Sequence, residues 1–194
     1  SLVAPRVLVG VPSGITNVEM RAARDAAKNA GAREVLLIEE PMAAAIGAKL
    51  PVGKAIGNMI IDIGGGTTDI AVISLSGIVV AKNLRVAGDH LNAAIVAYIR
   101  DQFKVLVGDK TAEDAKIVLS SIVQHEDGKE VVVRGRDVVT GLPREVIITD
   151  TDIREAISHS IDSIVEAVRS VLEKTPPEVL ADVMQRGIHI SGGG

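Results

Sequence analysis

The sequence contains no cysteine and no tryptophan, and its aromatic side chains are limited to Tyr98 and Phe103. Without cysteine, disulfide bonds and thiolate metal sites are excluded, which agrees with a reducing compartment such as the cytoplasm. Two aromatic residues and a formal net charge of −4 provide neither a base-stacking platform nor a basic surface. Nucleic acid is therefore not an expected partner.

Long apolar runs and several catalytic spacings are also missing. No apolar run reaches the length of a transmembrane helix, and the N-terminus has no signal-peptide pattern. The histidines at positions 90, 125, 159 and 189 show no metal-ligand spacing, and no Ser-His-Asp order with a nucleophile elbow occurs. The sequence thus argues against acyl-transfer catalysis and against a histidine-held metal.

The 194 residues are 47% hydrophobic, which is enough to build the core of one large domain or two small ones. Buried strands are predicted over residues 7–11 and 35–38, each followed by a helix, over residues 17–30 and 42–49. Thr16 and Glu19 have the spacing of a capping box at the start of the first helix, and Gly31 is expected at its end. This alternation is typical of an α/β fold.

The second half of the chain is richer in helices. Apolar residues on one face predict a helix over 91–103, and capping-box spacing at Thr111–Asp114 predicts a helix that ends near residue 123. Residues 124–129 read as a charged loop between this helix and strands over 131–134 and 145–149. The longest helix is predicted over 152–174, and its apolar stripe is interpreted as core, with a filament contact as the alternative. A short helix over 178–186 and a strand over 188–190 complete the prediction.

Residues 60–73 read IIDIGGGTTDIAVI and predict a β-hairpin, because two β-branched runs flank a glycine-rich turn. We expect the glycines to allow a tight reversal with positive φ, and a third strand over 78–84 to complete a meander. Backbone N–H groups and threonine hydroxyls at the tip form a suitable nest for phosphate oxygens. Asp62 and Asp69 could then serve a Mg²⁺-bound or attacking water. The alternative is a plain glycine-rich hairpin with two capping aspartates.

Three features resemble the ATPase core shared by actin, sugar kinases and heat-shock chaperones: Glu40-Pro41 before a small-residue helix, the hairpin from Asp62 to Asp69, and a strand that ends in three glycines. More narrowly, residues 37–47 (LIEEPMAAAIG), 58–74, 111–114 (TAED) and 173–178 (EKTPPE) resemble the bacterial actin family of MreB and its paralogues. The resemblance covers essentially the whole chain. It implies an actin-like, ribonuclease H-like α/β fold with mixed sheets, flanking helices and a small inserted α+β subdomain.

By this resemblance the cofactors are ATP and Mg²⁺, and the hairpin is a phosphate loop. Asp62 would orient a water on Mg²⁺, Asp69 would be a secondary polar contributor, and Glu40 would polarise the attacking water. This division of roles agrees with phosphoryl transfer, which needs positioning and charge neutralisation more than a covalent nucleophile. The phosphate-binding residues would be Gly64, Gly65, Gly66, Thr67 and Thr68.

The remaining cofactor-binding positions lie elsewhere in the sequence. The resemblance implies that Gly88 and Asp89 form a turn facing the nucleotide and that Glu113 and Lys116 contact the ribose and base. The adenosine motif would be Gly192, Gly193 and Gly194.

Three of these assignments have a simpler alternative. Glu40 could be a helix N-terminal carboxylate stabilised by the macrodipole, and Asp89 could be an N-cap. Glu113 and Lys116, three residues apart, could form a surface ion pair.

The sequence also departs from the family pattern. An Asp-x-Gly-Thr phosphate loop does not occur, and Asn92 stands where the family pattern has an acidic residue. We therefore expect a fragment that hydrolyses ATP poorly or not at all, and weak nucleotide binding is left open. On the actin-like plan, residues 1–54 would be part of the first large subdomain, residues 55–86 with 150–194 the nucleotide-bearing second, and residues 87–149 its small inserted subdomain.

The function implied by the resemblance is that of an ATP-dependent cytoskeletal protein, with self-assembly into protofilaments. Attachment to the cytoplasmic face of the inner membrane and contact with cell-wall synthesis proteins would determine rod shape. One alternative is a chaperone-type ATPase switch of the same superfamily. A folded but catalytically inert module is the other.

Overall fold

The computed structural model describes residues 4–123 and 128–194, so the first four residues of the predicted charged loop, including His125, lie outside the described residues. The α/β class predicted from the sequence is confirmed. In chain order the elements are β1 (Arg6–Val11), α1 (Asn17–Asn29), β2 (Glu34–Glu39), α2 (Glu40–Gly47), β3 (Asn58–Ile63), β4 (Thr68–Ser74), β5 (Gly77–Leu84), α3 (Gly88–Phe103), β6 (Val105–Leu106), α4 (Asp109–Leu119), β7 (Glu130–Asp137), β8 (Pro143–Thr149), α5 (Asp150–Lys174), α6 (Pro177–Arg186) and β9 (Ile188–Gly192).

The described residues divide into two compact units. The first unit comprises residues 4–84 and Glu166–Gly193, and the second comprises Arg85–Val165, apart from 124–127, together with Gly194. Helix α5 contributes its first part to the second unit and its last part to the first. The finer division into three subdomains stays a prediction.

The first unit is built on a four-stranded sheet with the order β5-β4-β3-β9. Strands β3, β4 and β5 form the predicted antiparallel meander, and β9 pairs with β3 in parallel. One face carries Ile60 and Ala71 and packs with Ala45 of α2, while the opposite face carries Met59 and the apolar residues that contact α5 and α6. Because both faces are covered, β3 and β4 read as continuous apolar runs rather than as alternating ones.

Strands β1 and β2 form a separate parallel pair in the first unit. Both were predicted to be buried, and this prediction is wrong for Leu8, Gly10 and Leu36, which are exposed. Leu8 and Leu36 are register partners, yet they are 62% and 51% exposed. The reason is that a two-stranded sheet buries one face against its helices, and the described residues leave the face of Leu8 and Leu36 uncovered.

The second unit packs α3, α4 and the first part of α5 around the three-stranded sheet β6-β7-β8. The predicted apolar face of α3 is confirmed, since Leu91, Ile95 and Ile99 are buried in this core and Phe103 packs against it. Ile153 and Ile157 at the start of α5 enter the same core, as the core interpretation of its apolar stripe predicted. Among the described residues, no helix combines the length and the hydropathy needed to cross a membrane.

Several boundaries differ from the prediction. Helix α4 begins at Asp109 with Gly108 as its N-cap and ends at Leu119, so Thr111 lies inside the helix and the predicted capping box is wrong. Helix α5 begins two residues earlier than predicted because Thr149 and Asp152 bond reciprocally, with each backbone N–H donating to the other side chain. The capping box of Thr16 and Glu19 is confirmed. The short strand β6 was not predicted.

Candidate functional site

Four polar side chains form one row across the sheet of the first unit. The register pairs Asn83 of β5 with Asp69 of β4, Asp69 with Asp62 of β3, and Asp62 with Ser191 of β9. Side chains alternate between the two faces of a sheet, so Asp62 lies on the same face as Ile60, and Asp69 on the same face as Ala71. The row is therefore on the face that α2 covers. The two predicted aspartates are therefore direct cross-strand neighbours, a position where like charges repel.

Each aspartate in this row accepts hydrogen bonds from its outer neighbour. Asn83 Nδ2 lies 3.0 Å from both carboxylate oxygens of Asp69, and Ser191 Oγ donates to Asp62 Oδ1 at 2.8 Å. Asp69 is only 2% exposed, whereas Asp62 is half-buried. The outer neighbours thus provide neutral donors that offset part of the repulsion between the two carboxylates.

The glycine turn joins β3 to β4 next to this row. The Gly64 N–H donates to the Thr67 carbonyl at 2.9 Å, so that amide is used in closing the turn. Glycines at positive φ occur elsewhere in the chain, but none of the three glycines of this turn is among them, so the predicted reversal with positive φ is wrong. A Cβ added at Gly66 would meet nothing within 4 Å. Thr67 is half-buried and Thr68 is buried. Because the fold itself does not require glycine at Gly66, glycine there favours close approach of a ligand to the backbone.

The terminal glycines are held against the same turn. Gly192 has φ +105°, and a Cβ at this position would lie 2.0 Å from the carbonyl oxygen of Ile63. The next residue fastens the strand end further, since the Gly193 N–H donates to the same carbonyl at 3.1 Å. Glycine at 192 is therefore required by the fold.

Glu40 lies at the first position of α2, on the side of the sheet where the polar row lies. A Cβ at Gly10 would lie 3.4 Å from Glu40 Cγ, so β1 packs closely against this side chain. Burial, together with the charges of Asp69 and Asp62, raises the pKa of the Glu40 carboxyl. The structure therefore brings Glu40 near both aspartates. Stabilisation by the helix macrodipole alone would shift its pKa in the opposite direction.

Replacing Glu40 with glutamine is expected to stabilise the chain at pH 7. Folding raises the pKa of the Glu40 carboxyl above its ordinary value of 4.5. Protonated Glu40 therefore stabilises the folded chain at low pH, and this stability is lost as the pH rises through the pKa of the folded state. Glu40→Gln removes this loss, and we expect a gain of about 0.5 kcal/mol at pH 7 that vanishes below pH 4.5. Urea unfolding at pH 7 and at a pH below 4.5 measures this gain in stability. The neighbouring substitution Glu39→Gln is the control, and equal stability of the two variants at pH 7 would contradict the expectation.

A second group of predicted residues lies within the second unit. Lys116 Nζ lies 2.9 Å from Glu113 Oε2, and Asn92 Nδ2 donates to the same oxygen at 2.6 Å. The bonds from Lys116 and Asn92 lower the pKa of the Glu113 carboxyl. Lys116 also lies 3.5 Å from the carbonyl oxygen of Gly88. Since Lys116 is only 7% exposed, this pair is not the surface ion pair of the simpler alternative.

Asp89 is exposed within the first turn of α3. The N-cap of this helix is Ala87, and no side chain caps it, so the capping alternative for Asp89 is wrong. Its predicted proximity to a nucleotide stays a prediction.

Asn83 and Ser191 are site residues that the sequence reasoning missed. Nothing in their local sequence marks them, because their roles follow from strand register. Once β3 is paired with β4 and β9, and β4 with β5, both positions fall in the row of the aspartates. The signal was thus available only after the sheet order was known.

The comparisons with known proteins agree with this architecture. The family model described as MreB/Mbl protein matches residues 1–194. The cell shape-determining protein MreB of Haemophilus influenzae is 51% identical over 193 residues, covering 98% of this chain and 55% of that protein. The cell shape-determining protein Mbl of Bacillus subtilis is 45% identical over 190 residues, covering 98% of this chain and 57% of that protein. The chain therefore spans a little more than half the length of these relatives.

Solved structures show the same fold. MreB5 of Spiroplasma citri bound to AMPPNP matches with a TM-score of 0.92 at 42% identity, covering 96% of this chain and 56% of that one. The MamK double helical filament matches with a TM-score of 0.78 at 21% identity, covering 98% of this chain and 56% of that one, and it supports the fold alone. The actin-like fold expected from the sequence is confirmed, and this chain belongs to the MreB/Mbl family.

Proposed function

We propose that the first unit binds the phosphates of ATP at the glycine turn between β3 and β4. The observation that carries this proposal is the polar row beside the turn, in which Asp62 and Asp69 are held side by side by Ser191 and Asn83. Two adjacent carboxylates next to an open glycine turn are costly in an inert hairpin. They suit a site that receives a cation together with phosphate oxygens.

The residues present fit a Mg²⁺ ion held mainly through water. Within residues 4–123 and 128–194, no group of three or more histidine or acidic side chains is arranged to hold a metal directly. Mg²⁺ keeps several waters and is usually bound by one or two carboxylates plus substrate phosphates, so a full protein cage is not needed. Asp62, half-buried and with one oxygen bonded to Ser191, is the carboxylate we assign to a Mg²⁺-bound water.

Glu40 is proposed to orient the water that attacks the terminal phosphate. Its raised pKa, caused by burial and by Asp69 and Asp62, makes the carboxylate a better proton acceptor than an ordinary glutamate. Mg²⁺, when bound, would neutralise charge on the phosphate oxygens. Asp69, buried and held at both oxygens by Asn83, would act through its charge rather than through direct contact with the ligand.

The nucleoside is proposed to contact two further sets of residues. Glu113 and Lys116 would bind the ribose and base, with Gly88 and Asp89 in a nearby turn. The support in this chain is the preformed geometry, because Lys116 and Asn92 already fix the Glu113 carboxylate. Gly192, Gly193 and Gly194 would let the purine lie against the backbone. Structural neighbours at 42% identity were solved with AMPPNP and with ADP, which supports a nucleotide as the ligand.

We further propose that the whole protein is a cell shape-determining cytoskeletal protein that assembles into filaments with ATP. Its partners would be copies of itself, the cytoplasmic face of the membrane and cell-wall synthesis proteins. Relatives named as cell shape-determining proteins support this role, at 51% and 45% identity. A chaperone-type switch is not favoured, because the matching family model is that of MreB/Mbl.

Sedimentation tests the assembly proposal. For a protein of the relatives' length that contains this chain, we expect ATP with Mg²⁺ to move the protein into the pellet, and Asp62→Asn to weaken this effect. The same variant without nucleotide provides the baseline. Protein that stays in the supernatant under every nucleotide condition would contradict filament formation and revive the switch alternative.

A further inference from the structure

We propose that Ser191 is a positioning residue for Asp62, which it orients so that Oδ2 faces the ligand. The inference rests on the proposed function, since it concerns the carboxylate that would hold a Mg²⁺-bound water. It adds a residue that neither the glycine turn nor the aspartate pattern identified.

The contact is short and its two ends are fixed by the sheet. Ser191 Oγ donates to Asp62 Oδ1 at 2.8 Å, and the two residues are register partners on parallel strands. The end of β9 is immobilised directly after Ser191 by the close packing of Gly192 on Ile63 and by the Gly193 hydrogen bond to the same residue. A donor held by the backbone in this way can set the orientation of its acceptor.

The two aspartates of the row differ in how many of their carboxylate oxygens accept a hydrogen bond from the outer neighbour. Asn83 bonds both oxygens of Asp69, whereas Ser191 bonds one oxygen of Asp62. Among the hydrogen bonds of the described residues, none of those named for this row reaches Asp62 Oδ2, so we assign this oxygen to the ligand. The Ser191 hydroxyl therefore leaves Asp62 able to face the ligand, whereas Asp69 has both oxygens bonded to Asn83.

The expected size of the effect follows from other sites of this kind. Partners that hydrogen-bond metal-binding groups typically contribute roughly 10- to 100-fold to metal affinity. Because Mg²⁺ would be held through water in the proposed site, we expect the lower end of that range, about tenfold. The effect should be confined to Mg²⁺-dependent binding, because Ser191 acts only through Asp62.

The test compares Ser191→Ala with Ser191→Thr, which keeps the hydroxyl. Calorimetric titration with ADP is carried out with Mg²⁺ and again with EDTA. We expect Ser191→Ala to raise the dissociation constant of ADP about tenfold in Mg²⁺ and to leave it unchanged in EDTA. Ser191→Thr should restore the value of the unsubstituted chain. Should Ser191→Ala not fold, Ser191→Cys replaces it, because a thiol is a much weaker donor.

Three outcomes are decisive for the inference. An unchanged dissociation constant in Ser191→Ala with Mg²⁺ overturns it, and so does an equal loss with and without Mg²⁺, which would indicate a structural role. If the unsubstituted chain does not bind ADP at all, the proposed function is overturned and the inference with it.

A second readout needs no nucleotide. In the nucleotide-free chain, Ser191→Ala should shift the side-chain carboxyl ¹³C resonance of Asp62, because that carboxylate loses a hydrogen-bond donor. Ser191→Thr should leave the resonance close to its original position. Identical Asp62 resonances in the unsubstituted chain and in Ser191→Ala would show that the hydroxyl does not hold this carboxylate, and would overturn the inference.

Discussion

Gly192→Ala is expected to lower the free energy of unfolding by about 3 kcal/mol or more. A methyl group at this position would lie 2.0 Å from the carbonyl oxygen of Ile63 and 2.6 Å from its carbonyl carbon. The φ of +105° is also unfavourable for any residue with a Cβ. Relief of this steric clash requires β9 to separate from β3, which would pull Ser191 away from Asp62. Urea unfolding measures the loss of stability.

The adjacent residue provides a matched control for this substitution. Gly193 does not have positive φ, and a Cβ there would meet nothing within 4 Å. Gly193→Ala should therefore change stability by about 0.5 kcal/mol or less. Similar losses in the two variants would show that β9 is not packed on β3 as described.

Glu113→Ala is expected to cost about 2 kcal/mol of stability, because it leaves the ammonium group of Lys116 without its carboxylate. Lys116 is 7% exposed, and its remaining described contact, to the Gly88 carbonyl, is 3.5 Å long. Glu113 itself is partly exposed, with 37% of its side-chain surface accessible, so we expect less than the loss for a fully buried pair. Chemical denaturation measures the cost.

The control for this prediction removes the charge that the first substitution leaves behind. In the double variant Glu113→Ala/Lys116→Met, no cation remains to be desolvated, and we expect at least about 1 kcal/mol of stability to return relative to Glu113→Ala. If the double variant is the less stable of the two, the buried cation is not the source of the loss.

The hairpin and the amphipathic helices could be predicted because their signals are local. Continuous β-branched runs on both sides of the glycines marked β3 and β4, and one apolar face marked α3 and the start of α5. Asp62 was identified from its place beside the glycine turn and Glu40 by resemblance, and the structure places Glu40 within electrostatic reach of Asp62 and Asp69.

Other features could not be predicted because they depend on the order of the strands. Asn83 and Ser191 are far from the aspartates in sequence and join them only through register. The spacing of Thr111 and Asp114 is compatible with a helix start, but this pattern also fits inside a helix, and Gly108 fixed the start of α4 earlier. The exposure of Leu8 and Leu36 depends on which elements cover β1 and β2, which their own apolar sequences do not specify.

The central claim is that the glycine turn and the polar row form a Mg²⁺-dependent nucleotide site, and titration with ATP tests it most directly. The chain and its Asp62→Asn variant are titrated calorimetrically with ATP, each with Mg²⁺ and with EDTA. Asparagine keeps the volume of the side chain and an oxygen that can accept the Ser191 hydrogen bond, so the variant removes mainly the charge.

We predict saturable binding of one ATP by the unsubstituted chain in Mg²⁺. The Asp62→Asn substitution, or EDTA in place of Mg²⁺, should raise the dissociation constant of ATP at least about tenfold. The absence of saturable binding, or equal affinity of the chain and the variant in Mg²⁺, would contradict the assignment of this site.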